Sequence, residues 1–206
     1  MNEEIIARAE KILADRMTMS AMSTRKILLT SAGFETKAIQ DAFLEFIGKK
    51  PMETKALFIP TAAIFPAAIA VLPKCMDDLL NIGIPAENIK VFDLHRSMTF
   101  EELSEFDVVY FTGGSPGYLL DRINATGFHM PLHDFINHGG VYIGVSAGSM
   151  IACGNLPNNL GYLKASLRVH LETGTVPGIF NNNTVTQIDL TNNAVLIQDD
   201  KYEVIG

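Results

Sequence analysis

Basic residues are scarce in this chain, cysteines scarcer, and no apolar run is long enough to cross a bilayer. Each shortage excludes a class of function. Lys and Arg number 16 against 23 Asp and Glu, for a net charge of −7, and no basic cluster interrupts that balance. A protein that tracks the phosphates of nucleic acid needs the opposite, so nucleic acid is not an expected partner. The two cysteines, Cys75 and Cys153, lie in apolar or small-residue segments, with no CxxC and no Cys/His spacing. That excludes a disulfide framework and gives no metal site. Two unpaired thiols suit a reduced cytoplasm, and neither a metal nor an organic cofactor is expected. A membrane-spanning helix needs about 20 consecutive apolar residues, and none is present, so no membrane partner is expected. Positions 1–16 carry Glu3, Glu4, Glu10 and Asp15, which no signal peptide would. One local shortage matters later: positions 147–169 contain no Asp or Glu at all.

What remains is a 206-residue chain, 48% hydrophobic and 19% charged, enough for one sizeable core. Short apolar runs alternate with helical patterns. Lys26-Ile27-Leu28-Leu29-Thr30-Ser31, Ala56-Leu57-Phe58-Ile59-Pro60, Ile89-Lys90-Val91-Phe92-Asp93-Leu94, Asp107-Val108-Val109-Tyr110-Phe111 and Val141-Tyr142-Ile143-Gly144-Val145 read as strands. Between them, helices are expected over 36–47 and 66–81, as a short capped helix from Thr99, from Tyr118, and over 130–138. Strands this apolar, separated by helices, predict a doubly wound, mostly parallel α/β sheet covered on both faces. Further strands are expected over 162–171 and 184–190, and a terminal β-hairpin from 194–198 and 202–205. Ile5, Ile6, Ala9, Ile12 and Leu13 put an apolar stripe on a possible helix, so residues 1–22 are expected to form an N-terminal extension that docks on the domain at 23–206 or on a second copy. The assembly is expected to be a monomer or a homodimer.

The chemistry concentrates at Gly144-Val145-Ser146-Ala147-Gly148, a G-x-S-x-G sequence that follows an apolar strand and precedes small residues able to start a helix. In that setting a serine sits on a sharp strand-to-helix turn with its hydroxyl raised above the sheet. The N–H of Ala147 then faces the carbonyl that Ser146 attacks. One unit earlier, Thr112-Gly113-Gly114 ends a parallel strand, on the sheet edge where such folds bind ligands. The N–H of Gly114 or a neighbour is a candidate second oxyanion donor. A serine nucleophile requires a base, and the chain has five histidines: His95, His129, His133, His138 and His170. Spacing alone does not choose among them.

The strand beginning at Lys26, Tyr110-Phe111-Thr112-Gly113-Gly114, the helix start at Tyr118-Leu119-Leu120, the stretch 141–149 and the closing strands over 188–205 resemble the peptidase E (aspartyl dipeptidase) family of serine peptidases. The resemblance covers about 24–206 and is weakest over 154–186. It implies a flavodoxin-like sheet related to class I glutamine amidotransferases, with serine in place of cysteine at the elbow. It implies a short peptide as substrate, Ser146 as nucleophile, Gly114 and Ala147 as oxyanion donors, and His170 as base. The departures are specific. The family's acidic residue between serine and histidine has no counterpart, which leaves Asn155, Asn158, Asn159, Glu172 and Asp189 as groups to orient the imidazole. Lys201 is the sole basic residue after His170, so a preference for N-terminal aspartate has no support. An amidotransferase would need cysteine at 146. An esterase, and a degenerate hydrolase serving as a binding or assembly module, remain as alternatives.

Overall fold

The computed structural model describes residues 25–171, 178–181 and 186–206. The expected helix over 1–22 and the candidate Glu172 lie outside the described residues. Five strands, β1 (Lys26–Thr30), β2 (Ala56–Ile59), β3 (Ile89–Val91), β4 (Val108–Phe111) and β5 (Val141–Val145), run parallel. Strands β9 (Ala194–Gln198) and β10 (Lys201–Ile205) form the terminal hairpin and add antiparallel beside β1. The order is β10-β9-β1-β5-β4-β2-β3. Alternation along each strand fills two cores: Ile27 and Leu29 face one, Leu28 the other. This is the doubly wound, mostly parallel sheet that the apolar runs predict.

Helices cover both faces. Helix α1 (Lys37–Ile47) is capped by the Thr36 hydroxyl and ends at Gly48 in the left-handed region. The single helix expected over 66–81 is instead two, α2 (Pro66–Ala70) and α3 (Leu72–Asn81). Pro73 is the reason: it has no N–H, and its ring collides with the carbonyl four residues back, so the chain breaks at Val71 and restarts. Helix α4 (Phe100–Leu103) carries a complete capping box between Thr99 and Glu102. Helices α5 (Pro116–Thr126) and α6 (His129–Asn137) follow β4, and α7 (Ala147–Met150) follows β5 directly. Among the described residues no helix is long and apolar enough to cross a membrane.

Beyond α7 the chain departs from expectation. Strand β6 is only Ser166–Arg168, not 162–171. Its start is delayed because Tyr162 and Leu163 donate instead to the Ala152 carbonyl at the exit of α7. It cannot run on because His170 takes a left-handed backbone, φ 57°. Strand β7 (Gly178–Asn181), which the sequence did not suggest, joins β8 (Thr186–Asp189) in a second sheet of order β6-β8-β7. In the main sheet β4, β5 and β1 are neighbours, so the loops leaving their C-terminal ends meet at one edge.

Candidate active site

Ser146 stands where β5 turns into α7, with φ 49° and ψ −101°. A non-glycine residue held there costs about 1–3 kcal/mol, so its surroundings must impose the conformation. They do so several times over. Ser146 donates its N–H to the Thr30 carbonyl at 3.0 Å, and its own carbonyl accepts from Ser149 and Met150. The buried Ser149 hydroxyl accepts the Thr30 N–H at 2.9 Å and lies 2.8 and 2.7 Å from the carbonyls of Thr30 and Gly144, to one of which it donates. Tyr142 donates its phenol to the Gly148 carbonyl at 2.6 Å. The two motif glycines permit this crossing, since a Cβ on Gly144 would fall 2.7 Å from the Gly148 backbone.

His170 lies across from it, with Nε2 2.7 Å from Ser146 Oγ. For Nε2 to accept the hydroxyl proton, the ring proton must sit on Nδ1. The His170 backbone N–H donates to Ser31 Oγ at 2.8 Å, which ties the histidine to the end of β1. Two residues earlier, Arg168 grips Asp189 through Nε at 3.0 Å and a terminal nitrogen at 2.5 Å. Hydrogen bonds from Arg168 hold the Asp189 carboxyl below the usual carboxylate range, and Gln187 donates to it as well. Asn155 brackets Leu167 on β6, donating to its carbonyl and accepting its N–H.

The remaining candidates are engaged elsewhere. Asn155 serves β6, and Asn159 closes its own turn by accepting from Gly161 and donating to Leu156. Asn158 sits in a left-handed turn and lines a different hollow, beside His133. Asp189 belongs to Arg168. None of these bonds reaches the imidazole: Asn155 and Asn159 bond to backbone and Asp189 to Arg168 and Gln187, while Glu172 lies outside the described residues. His95 pairs with Asp93 at 3.1 Å. His133 meets Asn137, and His138 meets the Asp134 carbonyl and the Phe100 ring. His129 opens α6 and shares the hollow of His133.

The Gly113-Gly114 loop passes beside Ser146. A Cβ on Gly113 would lie 3.3 Å from Ser146 Cβ. Gly114 has φ +142°, and a Cβ there would fall 2.0 Å from the Ala62 carbonyl, which also accepts the Ser115 N–H. Only glycine passes so close. Ser146 and His170 both open onto a cavity of about 370 Å³, walled by Phe65, Ala68 and Val71 and floored by Cys75. Burial, reinforced by the nearby Asp78, pushes the Cys75 thiol up, so the floor is uncharged at neutral pH. Asp78 accepts the Tyr110 phenol at 2.6 Å, and burial raises its carboxyl. A hollow of about 590 Å³ runs along the terminal hairpin, but no serine, cysteine or histidine is among the described residues lining it. Among the described residues no group of three or more His, Cys, Asp or Glu is placed to hold a metal.

Ser31, Ser149, Phe65 and Val71 were not singled out by the motif. Ser31 carried a signal in its place at the C-terminal end of an apolar strand. The roles of Phe65 and Val71 follow from the helix break at Pro73.

Residues 27–162 match the sequence profile of peptidase family S51. The stretch includes Gly114, Ser146 and Ala147 and ends before His170. Over 133 residues the chain is 26% identical to the uncharacterized peptidase PM1590 of Pasteurella multocida, covering 64% of this chain and 62% of that protein. It is 27% identical over 132 residues to the uncharacterized peptidase Lmo0363 of Listeria monocytogenes, with the same coverages. It is 29% identical over 99 residues to peptidase E of Salmonella arizonae, covering 48% and 41%. The chain thus spans about three fifths of the first two relatives. Among solved structures, a candidate peptidase E protein from Listeria monocytogenes superposes with a TM-score of 0.65 at 21% identity, over 88% of this chain and 98% of that one. A peptidase from an acI-B1 Actinobacterium gives 0.57 at 19%, over 89% and 87%. Both share the fold.

Proposed function

The chain belongs to peptidase family S51, and from that premise we propose that it is a serine peptidase acting on short peptides through Ser146 and His170. The 2.7 Å separation of Nε2 from Oγ carries the reading. At that distance the imidazole accepts the hydroxyl proton as Oγ attacks the peptide carbonyl. The new C–O bond places negative charge on the carbonyl oxygen, beside the N–H groups of Gly114 and Ala147. Collapse returns the proton from His170 to the departing amine, and water, activated by the same nitrogen, then cleaves the acyl-serine. A degenerate module would have no need to hold a serine in a strained backbone against a histidine. That pairing supports the enzymatic reading over a binding or assembly role.

A fluorophosphonate probe tests it. The wild-type protein should be modified once, at Ser146, and Ser146→Ala should resist modification while melting at a similar temperature. Equal labelling of the two proteins defeats the assignment.

A further inference from the structure

The cavity beside Ser146 has mostly apolar walls, and they continue outward. Phe65, Ala67, Ala68 and Val71 come from a single segment, the end of the β2–α2 loop through the break before α3. Within eight positions of that segment Ile64, Phe65, Ile69 and Val71 are between 43% and 52% exposed. Single exposed apolar residues are ordinary, but a contiguous group that leads into a cavity marks a binding surface. At about 370 Å³ the cavity falls within the size range of small-ligand sites.

Among the described residues, the lysine that lines the cavity is already matched. Lys74 lines the cavity, but its ammonium donates to the Ala32 carbonyl at 3.1 Å and to Glu35 Oε1 at 3.0 Å. Cys75 offers a neutral thiol. A carboxylate entering here would give up water and find its nearest cation shared with Glu35, which is costly in proportion to its burial. An aliphatic or aromatic side chain would only gain.

We propose that this cavity receives the side chain on the acyl side of the scissile bond, and that this side chain is apolar, of about leucine to phenylalanine size. Short peptides with an apolar, not acidic, N-terminal residue are then the substrates. The inference rests on Ser146 being the nucleophile that is acylated. The acyl side is assigned by position. The walls follow the loop whose Ala62 carbonyl accepts the Ser115 N–H and passes close against Gly114, beside the proposed donor for the carbonyl oxygen. The leaving amine must lie toward His170, which protonates it.

Two aminoalkyl diphenyl phosphonates, with the side chains of leucine and of aspartate, separate the possibilities. Each reacts by forming an Oγ–P bond as phenoxide leaves and takes up the proton that His170 accepted. Rates are read by intact mass, with a small fluorophosphonate as reference for the nucleophile. The leucine analogue should react at least about tenfold faster, the scale on which an apolar pocket discriminates. Equal or faster reaction of the aspartate analogue, or reaction of neither while the fluorophosphonate still modifies Ser146, overturns the pocket and leaves the nucleophile standing. Failure of the fluorophosphonate as well overturns the nucleophile and the pocket with it. Val71→Arg, at a half-exposed position, should lower the leucine-to-aspartate ratio about tenfold by adding an unmatched cation to the wall. An unchanged ratio overturns the placement of the side chain.

Discussion

Ser146 and His170 stand 2.7 Å apart, yet the chain fixes the two by different means. Ser146 follows β5, the middle strand of the main sheet. Its backbone is pinned to Thr30, Ser149 is locked between Thr30 and Gly144, and Gly148 is held by Tyr142. His170 follows β6, an edge strand of the small second sheet. It is tied to the main sheet by the Ser31 hydroxyl, and its strand is steadied by Asn155 and by the Arg168–Asp189 pair. One partner is over-determined, and the other, among the described residues, is held by a few separable bonds. The proposed mechanism nevertheless makes them equal, because in it the serine is inert without a base. That equality is the first thing to test. His170→Ala should lower kcat by about 10⁴–10⁶, as much as Ser146→Ala, and the double variant should be no worse than either, since such residues act as a unit. Additive losses in a double-mutant cycle would show that the two do not work together.

The same difference explains what could be read from the chain. The elbow is a local device. A strand, a serine and glycines spaced to let two backbones cross all fall within a few positions, so motif and fold point to one place. The sheet was legible for the same reason, from Ile27-Leu28-Leu29 to Val141-Tyr142-Ile143. His170 is different. The bond to Ser31 joins residues 139 positions apart, and no local pattern encodes it. Five histidines remained equal until the family resemblance singled one out, and the family profile itself ends at residue 162. The helix break at Val71 was missed although Pro73 announced it, because the apolar spacing over 66–81 masked the missing N–H. Strand β7 was missed because Gly178 and the asparagines after Phe180 carry turn chemistry, not alternation.

Breaking the over-determined half should cost the fold. In Gly144→Ala the new methyl falls 2.7 Å from the Gly148 backbone, which no side-chain rotation relieves. Overpacking of this kind costs about 1–3 kcal/mol and sometimes more, and for a chain of this length each kcal/mol lowers Tm by about 2–4 °C. Thermal melts and labelling should fall together. A variant that melts like wild type yet labels slowly would mean that the turn relaxes without unfolding, and that the elbow is less constrained than its contacts suggest.

Breaking the lightly held half should cost activity and spare the fold. Ser31→Ala removes the hydroxyl that accepts the His170 N–H, at a histidine exposed enough for water to replace it. A net hydrogen bond is worth about 1 kcal/mol, so Tm should move by only a few degrees. Without its anchor the imidazole should lose alignment with Oγ, lowering kcat about tenfold with KM little changed. Ser31→Thr keeps the hydroxyl and should restore most of the rate. Failure of threonine to rescue would assign Ser31 to packing and not to positioning.

The smallest effect concerns the pair that steadies β6, and it should appear only over part of the pH range. Asp189 is buried, with 3% of its side chain exposed, whereas Arg168 is 56% exposed. Hydrogen bonds from Arg168 hold the carboxyl below its usual range. A carboxyl whose folded pKa is depressed adds stability above its unfolded pKa, near 3.9, and loses it as pH falls through the folded value. Arg168→Met keeps the aliphatic stem and removes the donors. Its Tm should lie below wild type at pH 7, and the gap should narrow as pH falls from about 4 through the lower folded pKa, below which the carboxyl is protonated folded and unfolded alike. A gap that stays constant down to pH 2.5 would mean that the guanidinium contributes packing and not charge. The labelling rate at pH 7 carries the remaining information. Arg168 touches neither Ser146 nor the cavity, so a rate that falls with Tm would show the base to be only as well placed as the strand that leads to it. An unchanged rate would leave Ser31 as the anchor that matters.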